Sequence, residues 1–139
     1  MKKILLTLFG LIIFVSDDNG QIQKQRDIGT LVQGILDLPR LQWIYHPEAS
    51  ERLPVKVLAS GLVTKDLKLK KFDKPVLVLT KDELELKKIP DYVNFKKLEF
   101  KGDTVTFYLT YDIEGAFADG KLFWTGDKWV VRNYRVGEY

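Results

Sequence analysis

The sequence predicts an α+β fold in which an N-terminal helix packs on an antiparallel β-sheet that ends in a β-meander. Apolar residues between positions 21 and 38 recur at i, i+3, i+4 and i+7, the spacing of an amphipathic helix. From residue 93 onward, apolar and polar residues alternate in short runs, as they do in half-buried strands. Short turns with glycine and aspartate separate these runs, so neighbouring strands should be antiparallel.

The first 20 residues have the layout of a secretory signal peptide. A cationic start at Lys2 and Lys3 precedes an apolar run from Ile4 to Val15. That run is shorter than the roughly 20 apolar residues that cross a bilayer, so a cleaved signal is favoured over a permanent span. An uncleaved anchor and a buried core element are the alternatives. We therefore expect an exported protein, periplasmic or in the cell envelope, that touches a membrane only through this segment if it stays uncleaved.

Residues 21–139 are expected to form one domain with one hydrophobic core. The 139-residue chain contains no cysteine and one histidine, which excludes disulfides, thiol chemistry and metal sites built from several histidines. No cofactor and no metal site is predicted. The net charge of +3 is modest, and the lysine-rich stretch 64–74 contains a single aromatic residue and two aspartates. Nucleic acid is therefore not an expected partner.

The middle of the chain contains one clear local signal. Thr80 and Glu83 match the S/T-x-x-E capping box and predict a short helix from Lys81 to about Lys88, ended by Pro90. The first helix should end at Leu38, because a proline follows it. Alternation predicts strands over residues 53–59 and 76–79 and a short edge strand over 66–72.

The closing meander is predicted as four strands, over residues 93–100, 104–115, 121–125 and 129–136. In the second strand, alternation places five apolar side chains toward the core: Val105, Phe107, Leu109, Tyr111 and Ile113.

This order of elements, closing in "KLFWTGDKWVVRNYRV", resembles small exported bacterial proteins of unknown function with a cystatin-like or NTF2-like fold. The resemblance implies a curved sheet with a pocket between helix and sheet. That pocket hosts an active site in some members of the family. No residue motif of those members is present in this chain, so the resemblance assigns no catalytic residue.

Two kinds of residue are candidates for function. The first is polar: His46 is the single histidine, and Asp112 and Glu114 should lie on one face of a strand, where they could act as an acid/base pair or as cation ligands. Alternation puts that face opposite the core, which favours simple solvent exposure. The second kind is aromatic and could line a ligand pocket or a partner surface: Trp43, Tyr111, Trp124 and Trp129.

These features favour an exported non-catalytic domain that binds a protein through sheet-face aromatic residues or a small apolar ligand between helix and sheet. The alternatives are an NTF2-like pocket enzyme that uses carboxylates and a structural envelope protein. A buried carboxylate in a concave pocket would support the enzyme, whereas an exposed aromatic surface over a filled core would support a binding domain.

Overall fold

The computed structural model describes residues 28–139. The predicted signal peptide at 1–20 and the first seven residues of the predicted helix, 21–27, lie outside this range. The described residues combine helices with a six-stranded sheet, which confirms the α+β class. Within the same range, no helix is long and apolar enough to cross a membrane.

Helix α1 spans Ile28–Leu36 and is followed by a 3₁₀ helix, Pro39–Tyr45. Five residues of α1 are buried at the predicted helical spacing: Ile28, Leu31, Val32, Ile35 and Leu36. Pro39 opens the 3₁₀ helix, where its missing N–H is no loss, and His46 ends it in a left-handed conformation with φ of 48°. Leu36, Leu38 and Leu41 are buried, so the connection between the two helices stays packed against the core.

The strands of the sheet are β1 (Lys56–Leu58), β4 (Leu77–Leu79), β5 (Val93–Lys101), β6 (Thr104–Tyr111), β7 (Ala116–Trp124) and β8 (Trp129–Glu138). Their order across the sheet is β4-β1-β5-β6-β7-β8. A separate hairpin pairs β2 (Lys70–Lys71) with β3 (Lys74–Pro75). Strands β5 to β8 form consecutive antiparallel pairs, which confirms the predicted meander.

The prediction of a wholly antiparallel sheet is wrong, because β1 is parallel to both β4 and β5. Parallel neighbours need long crossover connections, and the chain provides two of them. Residues 59–76, with the β2–β3 hairpin, connect β1 to β4. Residues 80–92 contain helix α2 (Lys81–Leu86) and carry the chain back to β5 on the other side of β1.

The local predictions in this region differ in outcome. The capping box is present, since the Glu83 N–H donates to Thr80 Oγ1 at 3.1 Å, although α2 ends at Leu86 before the predicted Lys88. The strand predicted over 53–59 is reduced to β1, Lys56–Leu58. The edge strand predicted over 66–72 is instead the start of the two-residue β2–β3 hairpin.

Apolar side chains fill the space between α1, the 3₁₀ helix and the sheet. Leu31 and Ile35 from α1 and Phe107 and Leu109 from β6 have no exposed surface. The predicted inward set on β6 is confirmed up to Tyr111. Ile113 was predicted to point inward but is 41% exposed, because β6 ends before it.

Gly120 lies where β8 approaches β7 most closely. A β-bulge shifts the register of these strands between Lys121 and Leu122. A Cβ built on Gly120 would lie 2.6 Å from the Cβ of Tyr134 and closer still to the Asn133 carbonyl oxygen. Only glycine fits here without a shift of the β8 backbone, so the close approach of the two strands depends on Gly120.

Candidate functional site

The structure divides the sequence-predicted candidates among three places. Trp43 is on the 3₁₀ helix and 45% exposed. The polar candidates His46, Asp112 and Glu114 and the aromatic Tyr111 come together at one end of the sheet. Trp124 and Trp129 pair across the β7–β8 hairpin. No single pocket collects all of them.

Asp112 and Glu114 do not share a strand face, so that prediction is wrong. They belong to a 3₁₀ turn, Asp112–Glu114, which Gly115 closes in the left-handed conformation with φ of 59°. Asp112 is exposed and accepts a hydrogen bond from the Tyr139 hydroxyl at 2.6 Å, which raises the pKa of Tyr139 to about 12. Glu114 turns the other way, toward the loop after the first 3₁₀ helix.

Five residues form what we call the sheet-end cluster: His46, Glu48, Arg52, Tyr111 and Glu114. Arg52 Nη2 donates to Glu114 Oε1 at 2.6 Å, and Arg52 Nη1 lies 3.4 Å from the Tyr111 hydroxyl. His46 sits between two carboxylates, with Nδ1 2.7 Å from Glu48 and Nε2 3.3 Å from Glu114. The cluster fastens the loop over residues 46–52 to the end of β6.

The charged groups of the sheet-end cluster stabilise one another. The hydrogen bond from Arg52 holds the pKa of Glu114 below its ordinary value, so this carboxylate stays ionised. The hydrogen bond with Glu48 raises the pKa of His46, which favours the imidazolium form. Structural ion-pair networks shift pKa values in these directions, and the cluster joins the 46–52 loop to the sheet in this way.

Metal binding finds no support in the part of the chain from residue 28 to residue 139. No three side chains of the histidine, cysteine, aspartate or glutamate types are grouped there as a metal ion would need. His46 and Glu114 are held by each other, by Glu48 and by Arg52.

The two hairpin tryptophans pack on each other. The ring centroids of Trp124 and Trp129 are 5.2 Å apart, and Phe100 meets Trp129 edge-on at 5.8 Å. Both tryptophans are half-buried. Phe123, their neighbour in sequence, points to the opposite side of the sheet, where Arg132 lies 5.3 Å from its ring centroid.

That opposite side is the surface that the sequence reasoning did not single out. We call it the outer face: the side of β6–β8 turned away from the core, with Tyr108, Phe117, Asp119, Lys121, Phe123, Arg132 and Arg135. Tyr108 and Phe117 are neighbours, with ring centroids 6.3 Å apart. The sequence does contain a signal for this face, because its residues occupy the strand positions between the buried ones and side chains alternate between the two faces of a sheet.

Arginines cover the rings of the outer face. Arg135 lies 5.7 Å from the Phe117 ring centroid and holds Asp119 with two hydrogen bonds of 2.8 and 2.7 Å. This fork keeps the pKa of Asp119 below its ordinary value. Lys121 is exposed and forms no ion pair with any residue between 28 and 139. Two shallow hollows, of about 360 and 430 Å³, adjoin Asp119 and Lys121.

No family model, curated protein or solved structure matches this chain. The cystatin-like or NTF2-like resemblance therefore stays a prediction, and function has to be argued from the surfaces described above.

Proposed function

We propose that this chain is an exported, non-catalytic domain that binds a protein partner through its outer face. At the level of the fold, we also propose that α1 lies across a curved sheet, as the cystatin-like or NTF2-like resemblance implies. The observation that carries the binding proposal is the combination of half-buried rings and unpaired cations on the outer face, centred on Phe117, Phe123, Lys121 and Arg132.

The chemistry of this face suits a protein interface. Aromatic residues and arginine are enriched at such interfaces, because the rings bring large apolar contact areas and arginine brings several hydrogen-bond donors. The Phe117 and Phe123 rings are only half covered, each by an arginine. A partner that covers the rings would bury apolar area and accept hydrogen bonds from the arginines at the same time.

The filled interior supports a surface partner over a small ligand between helix and sheet. Leu31, Ile35, Phe107 and Leu109 leave no exposed surface in that region. An apolar ligand would have to displace close-packed side chains, which costs energy comparable to that gained by binding it. The enzyme alternative has less support, because Glu114, the half-buried carboxylate of the sheet-end cluster, is already bound to Arg52 and His46.

The test is site-specific photo-crosslinking in the bacterial envelope. A photoreactive phenylalanine at Lys121 should give a light-dependent adduct with a discrete protein, and the same residue at Lys87, at the end of α2, is the matched control. Additional Phe123→Ala should lower the adduct yield at position 121. Equal yields at both positions, or none at Lys121, would contradict the proposal.

Export is tested in the same cells by fractionation and intact mass. A periplasmic species lighter by about 2 kDa than the full chain would support cleavage of residues 1–20. An unprocessed species confined to the cytosol would exclude an envelope partner.

A further inference from the structure

The edge of the sheet beside the outer face has the features of a peptide-binding groove. Among residues 28–139, β8 pairs with β7 on one side and with no strand on the other. It is ten residues long, whereas β4, at the opposite edge, has three. A long unpaired edge offers a row of N–H and C=O groups to an extended chain.

The hydrogen-bond alternation of β8 identifies which of its groups have no strand partner among residues 28–139. The Tyr139 N–H donates to the Gly115 carbonyl, which lies on the β7 side. In an antiparallel strand every second residue turns its N–H and C=O to the same neighbour, so Gly137 also faces β7. The N–H and C=O groups of Tyr134, Val136 and Glu138 therefore face away from β7. They lie after the bulge, where the strand is regular.

The 3₁₀ helix supplies the second wall of the groove. Arg40 lies 5.9 Å from the Tyr134 ring centroid, and its backbone N–H is 3.4 Å from the Tyr134 hydroxyl. In a 3₁₀ helix the side chains at i and i+3 eclipse, so Trp43 is on the same side as Arg40. An exposed tryptophan thus lies one turn beyond Arg40 on the side of the 3₁₀ helix that reaches Tyr134, and it makes no hydrogen bond or ring contact with residues 28–139.

The arginines at this edge of the sheet indicate the charge of a partner that would bind there. Arg40 on one side of the sheet and Arg132 on the other form no ion pair within residues 28–139. Arg135, on the same face of β8 as Arg132, is already bound to Asp119. Arg40 and Arg132 thus offer two positive charges to carboxylates on an incoming strand, and Glu138 is the one acidic residue of β8. A second copy of this chain would bring the same arginines together with its own Glu138, so a dimer is tested as a separate outcome.

We propose that the partner binds as an extended acidic segment that adds a strand to the β8 edge, with apolar side chains against Trp43 and Val136 and carboxylates beside Arg40 and Arg132. This inference rests on the proposed function and names the partner's chemistry. Main-chain hydrogen bonds would supply affinity, and the arginines and the tryptophan would supply specificity.

The test uses the purified chain, labelled with ¹⁵N, and a capped nonapeptide that alternates glutamate and valine. At saturating peptide, amide hydrogen exchange should slow about tenfold or more at Val136 and Glu138, whose N–H groups gain acceptors. Gly137, already bonded to β7, should change little. The same peptide with lysine in place of glutamate should not bind.

Two variants locate the contact. Arg40→Glu should weaken peptide binding about tenfold, since it replaces a charge-assisted contact by repulsion. Lys87→Glu makes the same charge change at the end of α2 and should leave binding unchanged. Val136→Pro removes one outward N–H without touching the β7 ladder and should abolish binding. If that variant fails to fold, Arg40→Glu decides.

Four outcomes would overturn the inference: no binding of the glutamate peptide at millimolar concentration, equal binding of the lysine peptide, protection confined to β6 and β7, or a dimer whose β8 edge is already protected without peptide. Any of them would leave the crosslink at Lys121 intact if the outer face binds a partner in another way. Loss of that crosslink would remove the proposed function itself.

Discussion

The buried ion pair between Lys56 and Asp91 allows a quantitative test of how the end of the sheet is held. Lys56 begins β1 and Asp91 precedes β5, and their Nζ and Oδ2 atoms are 2.7 Å apart. Each side chain is 9% exposed. Lys56 Nζ also lies 3.4 Å from the carbonyl oxygens of Glu51 and Arg52, so it connects β1, β5 and the loop of the sheet-end cluster.

Asp91→Ala leaves the Lys56 ammonium buried with two long carbonyl contacts. Removing one member of a buried pair costs about 3–5 kcal/mol, and the two carbonyls place this case near 3 kcal/mol. For a domain of this size that corresponds to a fall in Tm of about 10 °C. Lys56→Met combined with Asp91→Ala removes both charges, so it should lie within about 2 kcal/mol of the unmodified chain.

The assay is urea unfolding followed by circular dichroism, completed as a double-mutant cycle. The exposed pair of Lys97 and Glu99, 3.5 Å apart, is the matched control and should change stability by less than about 1 kcal/mol. The reasoning about burial is refuted if Asp91→Ala lowers the free energy of unfolding by less than the change at the Lys97–Glu99 pair does. It is also refuted if the losses of free energy from the single changes at Lys56 and Asp91 simply add in the double variant.

Two further predictions follow from the same contacts. The bond with Glu48 raises the pKa of His46 above 6.5, so its stabilisation is complete below that pH and is lost as pH rises through the raised value. His46→Gln should therefore lower Tm at about pH 5.5 more than at about pH 9, and equal losses would contradict this. Gly120→Ala places a Cβ 2.6 Å from that of Tyr134 and should cost about 1–3 kcal/mol or more. Gly34→Ala, with nothing within 4 Å, should instead be neutral or stabilising by thermal unfolding.

Sequence patterns correctly predicted those elements that are determined by residues close together in the sequence. The face of α1 follows from spacing within nine residues, and the N-cap of α2 from Thr80 and Glu83, three positions apart. The meander was predictable because each strand pairs with the next in sequence through a short turn. In each case the residues that determine the structure are neighbours along the chain.

The parallel strands could not be predicted in the same way. Strand β1 has three residues, too few for alternation to be read with certainty, and it lies between two other strands. Lys56 sits there among apolar residues and looks solvent-facing in sequence, yet it is buried because Asp91, 35 positions later, neutralises it. Parallel pairing depends on such distant partners and on crossovers whose path no local rule specifies.

The shared strand face predicted for Asp112 and Glu114 was wrong for a related reason. Alternation carried the strand through Asp112 and Glu114, but Gly115 takes a positive φ and closes a turn that ends the strand first. Arg52, which holds Glu114, lies 62 positions earlier in the sequence. Glutamate and arginine at that separation are ordinary surface residues until the fold brings them together.

Residues whose presence is not explained by contacts that stabilise the fold are the best guide to function. Glu114, His46 and Asp91 have partners that explain their presence, so stability alone accounts for them. Trp43 and Arg40 lack such an account, since the tryptophan exposes nearly half its surface and the arginine stacks on a ring at the free edge of the sheet. Tryptophan and arginine are among the residue types enriched at protein interfaces and at their energetic hot spots. Their place on one side of the 3₁₀ helix, where Arg40 reaches Tyr134 of β8, is therefore the strongest structural reason to expect a partner there.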